Sequence, residues 1–381
     1  MCKNKLIAII TNNDDDIYCF RKELIEALIR EGYQILISCP YGEKLELMQH
    51  IEYIYDNPKI DRRGTNVFKD LKLLNHYKKL FKRYRPFLAL TFTAKPNVYA
   101  CMAAKRFKIP YICNVTGLGS VLNKKGLIKR LILSLFKHSY RSAACVMFQN
   151  SANMQLALNH KMINGEYRLI PGSGVDLERF PLQKYPDGGN GIEGEPIVFN
   201  YIGRVLKDKG IDTFIEAAKY IRRHYPQTEF NVIGFVEPTE SHYETEFEQL
   251  EKESIIFYRG SQMDVKPWIT RSHAIIHPST YGEGVSNVLL ENAASGRPII
   301  TTDNPGCKET VEDGKTGFIF NGHEPQELIK KIELFLSVDN SKRGEMGLDA
   351  REYVRSLFDR AIVIRNYLEA IAIINKNKGT V

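Results

Sequence analysis

The sequence has no C-x-x-C pair and no His/Cys cluster at zinc-ligand spacing, so its seven cysteines build neither a redox motif nor a metal knuckle. Cys2, Cys19, Cys39, Cys101, Cys113, Cys145 and Cys307 mostly sit in or beside apolar runs, where a reduced thiol behaves as a small core residue. No apolar run approaches the ~18 residues of a membrane-spanning helix. Lys3 and Lys5 precede an apolar stretch, Leu6 to Ile10, too short for a signal-peptide core, and no small-residue cleavage site follows. The expectation is a protein that stays in the cytoplasm. Most telling is a lack of acid: between Asp70 and Glu166 there is no Asp or Glu, against seventeen Lys and Arg. The net charge of +8 is accordingly uneven, +15 over residues 1–185 and −7 over the rest. So long an acid-free span points to an anionic partner: phosphates, anionic lipid headgroups or nucleic acid.

At 381 residues, 43% hydrophobic and 26% charged, the chain has material for two full cores, which excludes disorder, collagen and a disulfide scaffold. The first half alternates short apolar runs with helix-period segments. Leu6–Ile10, Gln34–Ser38, Phe87–Thr91, Tyr111–Cys113 and Ala144–Phe148 read as buried parallel strands. Tyr18–Arg30, Phe68–Tyr84, Asn97–Arg106 and Leu127–Tyr140 read as helices between them. The stretch 183–196 (QKYPDGGNGIEGEP) then breaks all periodicity and reads as a linker. A second alternation follows it, with strands Ile197–Ile202, Phe230–Ile233, Ile255–Tyr258, Ala274–His277, Pro298–Thr301 and Gly317–Phe320. Its helices are expected over Ile211–His224, around Thr245–Lys252, over Val285–Ser295 and from Pro325 onward. This is an α/β chain of two doubly wound Rossmann-like domains, with function expected at the carboxyl ends of the strands and in the cleft between the domains.

Two stretches carry chemistry. In Gly203–Gly210 (GRVLKDKG), a strand ends in Gly203, where backbone can approach a ligand, and Arg204 and Lys209 flank the start of the next helix. Two cations and a helix amino terminus suit a diphosphate, though a solvated basic turn reads equally from this loop alone. The second stretch runs from His277 to Glu291. Gly282 and Gly284 would let backbone N–H groups face an anion, Glu283 sits in the loop, and Glu291 lies eight positions on, inside a helix. A carboxylate there is suited to gripping paired hydroxyls of a ribose or hexose. His273 and His277 bracket a strand and stay unassigned, since a lone His is usually a satisfied structural residue.

The E-x7-E spacing of Glu283 and Glu291, with GRVLKDKG upstream and GSGVDLERF at Gly172–Phe180, resembles the retaining glycosyltransferases of family four. A looser likeness, carried by Thr91–Asn97 (TFTAKPN) and Asn114–Gly119 (NVTGLG), is to the subgroup that builds capsule, O-antigen or lipid-linked oligosaccharides. The resemblance implies the GT-B architecture, two Rossmann-like domains facing a central cleft. It implies an acceptor- and membrane-facing domain over 1–182, a nucleotide-sugar donor domain over 197–356, and a last helix, 357–381, crossing back to the first domain. It further implies that Arg204 and Lys209 bind the donor diphosphate and stabilise the leaving charge. Glu291 would hold the ribose hydroxyls and Glu283 would contact the transferred sugar. Gly203, Gly284, Val285 and Ser286 would complete the donor site, the last three through backbone N–H groups. Lys95, Asn97, Thr116 and Gly117 are the candidates near the acceptor or sugar. The donor would be a UDP-sugar and the acceptor a polyprenyl-diphosphate-linked saccharide.

Because Arg and Lys can neutralise a departing diphosphate, no metal and no cofactor are expected. Asp14–Asp15–Asp16 superficially resembles the metal-binding acids of another glycosyltransferase class, but it precedes a helix, so capping and dipole stabilisation explain it. The chain departs from many relatives in lacking a glycine pair after the first strand and a histidine near the donor sugar after the fifth, which leaves a catalytic base unassigned. The basic segment holding Lys124, Lys125, Lys129, Arg130 and Lys137, interleaved with Leu and Ile, fits either a core helix with solvated lysines or an amphipathic helix on an anionic membrane. The latter would place the protein peripherally on the inner face of the membrane. Rival readings are a UDP-sugar epimerase of the same architecture, or a polyanion-binding protein. Nucleic acid is not expected as partner, since no recognition-helix pattern or aromatic–basic interleaving of a known module is present.

Overall fold

The computed structural model describes residues 5–61, 64, 66–117, 126–187, 195–322 and 324–379. Its contacts divide the chain into two units, residues 1–173 with 361–381, and residues 174–360.

The first unit is built on strands β1 (Lys5–Ile10), β2 (Tyr33–Ser38), β3 (Ile54–Asp56), β4 (Leu88–Phe92), β5 (Tyr111–Val115), β6 (Cys145–Phe148) and β7 (Glu166–Leu169). They form one parallel sheet in the order β3-β2-β1-β4-β5-β6-β7. Because strand side chains alternate faces, Ile7 and Ile9 of β1 enter one core while Ala8 and Ile10 enter another. The second of these cores is closed by α2 (Val67–Tyr84), α3 (Ala94–Arg106), α4 (Gly126–Tyr140) and α5 (Ser151–Asn159). The first is closed by α1 (Lys22–Arg30) and by the last helix of the chain, Arg360–Gly379, whose Val363, Tyr367, Ala370, Ile371 and Ile374 pack with Ile7 and Ile9. Asn114 Nδ2 donates to the Tyr367 hydroxyl, fixing that helix to β5.

Strands β3 and β7 are absent from the sequence reading for a physical reason. Both are sheet edges with largely exposed side chains, so they carry no apolar run to betray them. The helix expected from Tyr18 is interrupted by a π-helical turn at Ile17–Arg21. The cap ahead of it is Asn13, whose side chain accepts from the Asp16 N–H. Asp14, Asp15 and Asp16 fill the first turn beyond it, where carboxylates favour the positive end of a helix.

The second unit carries strands β8 (Ile197–Ile202), β9 (Thr228–Ile233), β10 (Phe257–Tyr258), β11 (Ala274–His277), β12 (Ile299–Thr302) and β13 (Gly317–Phe320). They form a parallel sheet in the order β10-β9-β8-β11-β12-β13. Helices α6 (Ile211–His224), α7 (His242–Lys252), α8 (Lys266–Arg271), α9 (Asn287–Ala294), α10 (Pro325–Ser337) and α11 (Asn340–Phe358) accompany it. β8 is buried along its whole length, as a central strand covered on both faces must be.

The units divide at Ser173/Gly174 and Arg360/Ala361, not at the periodicity break after 182 nor at 356. Val175 and Phe180 are buried with Ile202, Leu289 and Val354 in a core of the second unit. The Val175 N–H donates to the Phe358 carbonyl at 2.8 Å, and the Arg360 N–H to the Val175 carbonyl at 3.1 Å. Gly174 lies at φ +69° with no room for a Cβ, which would fall 2.6 Å from Arg360 Cα. Residues 174–182 are thus the first packed segment of the second unit, a fact set by tertiary contacts that local composition does not display.

Candidate active site

β8 ends where Gly203 turns at φ +153°, and its N–H donates to the Ile233 carbonyl at 2.9 Å. Gly234 closes against it so tightly that a Cβ there would lie 1.8 Å from the Gly203 carbonyl oxygen. Beyond this turn the Tyr201 hydroxyl donates to the Arg204 carbonyl at 2.8 Å. Arg204 Nη1 lies 3.0 Å from Oε1 of the buried Glu237, so one edge of the guanidinium is fixed. Lys209 sits in a single 3₁₀ turn ahead of α6, ended by Gly210 at φ +77°. A Cβ on Gly210 would fall 2.0 Å from the Pro278 carbonyl oxygen, so this glycine allows the turn to lie against the loop after β11. Thr280 completes the contact, its N–H donating to the Asp208 carbonyl at 2.9 Å.

That contact joins the two stretches singled out in the sequence. Lys209 Nζ is ion-paired with Glu283 Oε1, and both side chains are largely buried. His277 Nε2 stands 3.8 Å from the same carboxylate oxygen and 3.3 Å from the Ser286 hydroxyl. Tyr281 lies under both cations, its ring centroid 5.9 Å from the Arg204 guanidinium carbon and 5.2 Å from Lys209 Nζ. His277, Tyr281 and Glu237 join this cluster, and the sequence alone assigns a role to none of them. His277 reads as a core histidine until the loop after β11 folds back over it, although it opens the very motif that ends in Glu291.

Glu283 feels burial, which alone would raise its pKa, but the Lys209 charge and the His277 ring overcome it and hold the carboxyl at about 2. Burial pushes the His277 imidazole below its ordinary 6.5 despite the neighbouring Glu283 carboxylate. The two shifts act in the same direction on stability. A depressed carboxylate stabilises the fold above its unfolded value of 4.5 and loses that contribution as pH falls towards 2. A histidine held neutral disfavours the fold once pH falls below 6.5, where the unfolded chain takes up the proton more readily. The second unit is therefore expected to lose stability below pH 6.5 and more steeply below 4.5, with Glu283→Gln flattening the lower limb. A urea midpoint constant from about pH 7 to about pH 4 contradicts this.

The donor-loop reading needs one correction. The Ser286 N–H donates to the Gly306 carbonyl at 2.8 Å and so is not presented to a ligand. The segment after β12 folds over this loop, and Gly306, at φ +91°, would place a Cβ 2.6 Å from the Gly284 carbonyl oxygen. The Ser286 hydroxyl makes no cap to α9 and faces His277 instead. The helix itself begins at Asn287 rather than Val285. Val285 is buried in the core with Leu289 and Leu290, and Glu291 is half-buried one turn into α9. A pocket of about 310 Å³ in the same unit, lined by Arg179, Lys266 and Thr270 among others, shares no residue with this cluster.

The remaining candidates lie in the first unit. Lys95 Nζ bonds Asp70 at 2.6 Å and the Gly64 carbonyl at 2.9 Å. Asn97 is buried, accepting from the Thr91 hydroxyl at 2.7 Å and donating to the Asn114 carbonyl at 2.7 Å, so it clamps β4, α3 and β5 together. Thr116 and Gly117, half-buried, follow the carboxyl end of β5. Thr93, between β4 and α3, takes φ +66°, a strained setting for a β-branched residue. Lys129, Arg130 and Lys137 lie on α4, whereas Lys124 and Lys125 fall outside the described residues. Among the described residues no group of three or more His, Cys, Asp or Glu is arranged to hold a metal ion, and no helix is long and apolar enough to cross a membrane.

Two doubly wound parallel-sheet units in one chain are the architecture of the GT-B class. Residues 7–150 match the family model "Glycosyl transferase 4-like" and residues 187–353 match "Glycosyl transferases group 1". The chain belongs to these glycosyltransferases. It is 25% identical to the N,N'-diacetylbacillosaminyl-diphospho-undecaprenol alpha-1,3-N-acetylgalactosaminyltransferase of Campylobacter jejuni, over 97% of this chain and 99% of that protein. It is 28% identical to the capsular polysaccharide biosynthesis glycosyltransferase CapM of Staphylococcus aureus, over 89% of this chain and 90% of that protein. The structure of Anabaena HepE in complex with UDP and glucose superposes with a TM-score of 0.78 at 18% identity, covering 97% of this chain and 99% of that one.

Proposed function

We propose that this enzyme transfers a sugar from a UDP-sugar to a saccharide carried on a polyprenyl diphosphate, with retention of configuration, in the building of a surface polysaccharide. The observation that carries the reading is the convergence of Arg204, Lys209 and Glu283 on one loop pair at the end of β8 and β11. Arg204 and Lys209 take the donor diphosphate, and their charge supports the leaving group without a metal ion. Glu283, kept ionised, accepts hydrogen bonds from hydroxyls of the transferred sugar, and Glu291 does the same for the ribose. On the retaining course the bond from the anomeric carbon to the diphosphate oxygen breaks while the acceptor oxygen bonds on the same face, and the acceptor proton passes to the leaving phosphate. No separate base is then needed. The names of the Campylobacter and staphylococcal relatives support the lipid-linked, polysaccharide-building acceptor, and the HepE complex supports UDP. The basic helix α4, with Lys129, Arg130 and Lys137, would hold the first unit peripherally on the inner, anionic face of the membrane, where such acceptors reside.

Thermal stabilisation by a panel of UDP-, GDP- and dTDP-sugars tests the donor, since a ligand of the native state raises apparent stability with its excess over Kd. A shift with a UDP-sugar and none with the others is expected, and no shift with any of them counts against the site. Glu291→Ala is expected to weaken donor binding by about tenfold to a hundredfold, the range for losing a charge-assisted hydrogen bond, while leaving kcat at saturation nearly unchanged. A fall in kcat with unaltered donor KM would remove Glu291 from the ribose.

A further inference from the structure

We propose that the first turn of α2 is a membrane-insertion point that acts together with the outer side of α4 as one docking face for an anionic bilayer. The inference rests on the lipid-linked acceptor reading above and adds a surface that α4 alone does not provide. α2 opens with three apolar side chains turned to solvent: Val67 is 66% exposed, Phe68 77% and Leu71 54%. Phe68, Leu71, Asn75, Lys79 and Lys82 follow one another at three- and four-residue spacing, the spacing of one helix face, and Lys72 lies beside Leu71 four positions after Phe68. The opposite face, Leu73, Tyr77, Leu80 and Phe81, is buried against the sheet. On α4, Leu131 is 62% exposed beside the exposed Arg130. Phe136 and Tyr140 of α4 enter the same core as Leu73 and Tyr77, and α3 packs against both helices, so α2 and α4 belong to one layer with a common outer side.

Charge decides what covers this layer. Asp70, the one acid of α2, is turned inward, accepting from Lys95 Nζ at 2.6 Å and the Tyr99 hydroxyl at 2.9 Å. Asp61, ahead of the helix, pairs with Lys69 at 2.9 Å. From residue 71 to residue 165 no further acid occurs. The layer thus offers exposed apolar side chains with exposed lysines following them along the same helix face. A bilayer with anionic headgroups supplies both an apolar phase for Phe68 and Leu71 and a dense field for the lysines. A nucleic acid would use the cations but leave the three apolar side chains in water.

The full-length protein floated with phosphatidylcholine vesicles, with and without phosphatidylglycerol, tests this. The wild type is expected on the phosphatidylglycerol vesicles and to be released by salt. The double variant Phe68→Ser/Leu71→Ser is expected to partition at least about tenfold more weakly, since two exposed apolar side chains lose their burial. Its melting temperature, and its transfer to a short-chain, water-soluble acceptor, are expected to match the wild type, which separates lost docking from lost folding. Wild-type binding that the double variant retains overturns the insertion point. Failure of the wild type to float overturns the docking face, while the soluble-acceptor assay reports on transfer independently. Should sedimentation equilibrium without lipid show a dimer that the double variant abolishes, the face joins two copies of the chain and the proposal is likewise overturned.

Discussion

Replacing Lys209 by Ala is expected to lower kcat by about a hundredfold to a thousandfold, the cost typical of removing one pre-organised charge from a transition state. Lys209 is held by two independent contacts, the ion pair with Glu283 and the face of the Tyr281 ring, so its charge is in place before any donor arrives. A fixed charge of this kind costs no reorganisation as the diphosphate departs. The substitution has a second effect that must be separated from the first. Glu283 is largely buried, with His277 standing 3.8 Å away, and without Lys209 it loses the cation paired with its carboxylate. Its pKa should then rise and the loop should lose stability. Pairing Lys209→Ala with Glu283→Gln removes the stranded carboxylate and is expected to restore the melting temperature while transfer stays slow. Recovery of transfer in the double variant would mean that Lys209 serves Glu283 and not the leaving group.

The second large effect is expected at Gly234, which bears no chemistry. A Cβ there would stand 1.8 Å from the Gly203 carbonyl oxygen, and the backbone sits at φ +152°, a region that L side chains rarely adopt. The obstruction is backbone, so no side-chain rotation relieves it. Gly234→Ala is expected to destabilise the second unit by about 3 kcal/mol or more, or to displace the Gly203 turn and with it Arg204. Either way donor binding fails, whereas Gly314→Ala, at φ +79° with open space around it, should show only the backbone strain. Equal melting temperatures for wild type and Gly234→Ala would contradict the close approach of the two loops.

Much of the second unit is legible in the sequence. β8, β11, β13 and α6 begin and end where their apolar patterns do, because a strand buried on both faces must be a continuous apolar run and an amphipathic helix must repeat its apolar stripe. The spacing of Glu283 and Glu291 is legible through the family resemblance, and the two fall in a loop and in the helix behind it. What is not legible depends on how loops fold back. Gly306 brings its segment onto Gly284, which occupies the Ser286 N–H and delays α9 to Asn287. His277 acquires its meaning only from Glu283 and Ser286, six and nine positions later in the chain. α8 is a short helix opened by Pro267, with too few turns to show a period. In the first unit, Asn97 and Lys95 turn out to be tied into packing contacts, a distinction between clamp and ligand that residue type cannot make.

The central claim is acceptor-dependent transfer from a UDP-sugar. The direct measurement is UDP release and product mass when the enzyme is incubated with UDP-sugars and a prenyl-diphosphate-linked saccharide, in buffer containing a chelator. UDP should be released only when the acceptor is present, and the acceptor should gain the mass of one sugar residue. Interconversion of the nucleotide sugar without acceptor would identify an epimerase, and acceptor left unmodified by every UDP-sugar would contradict the account.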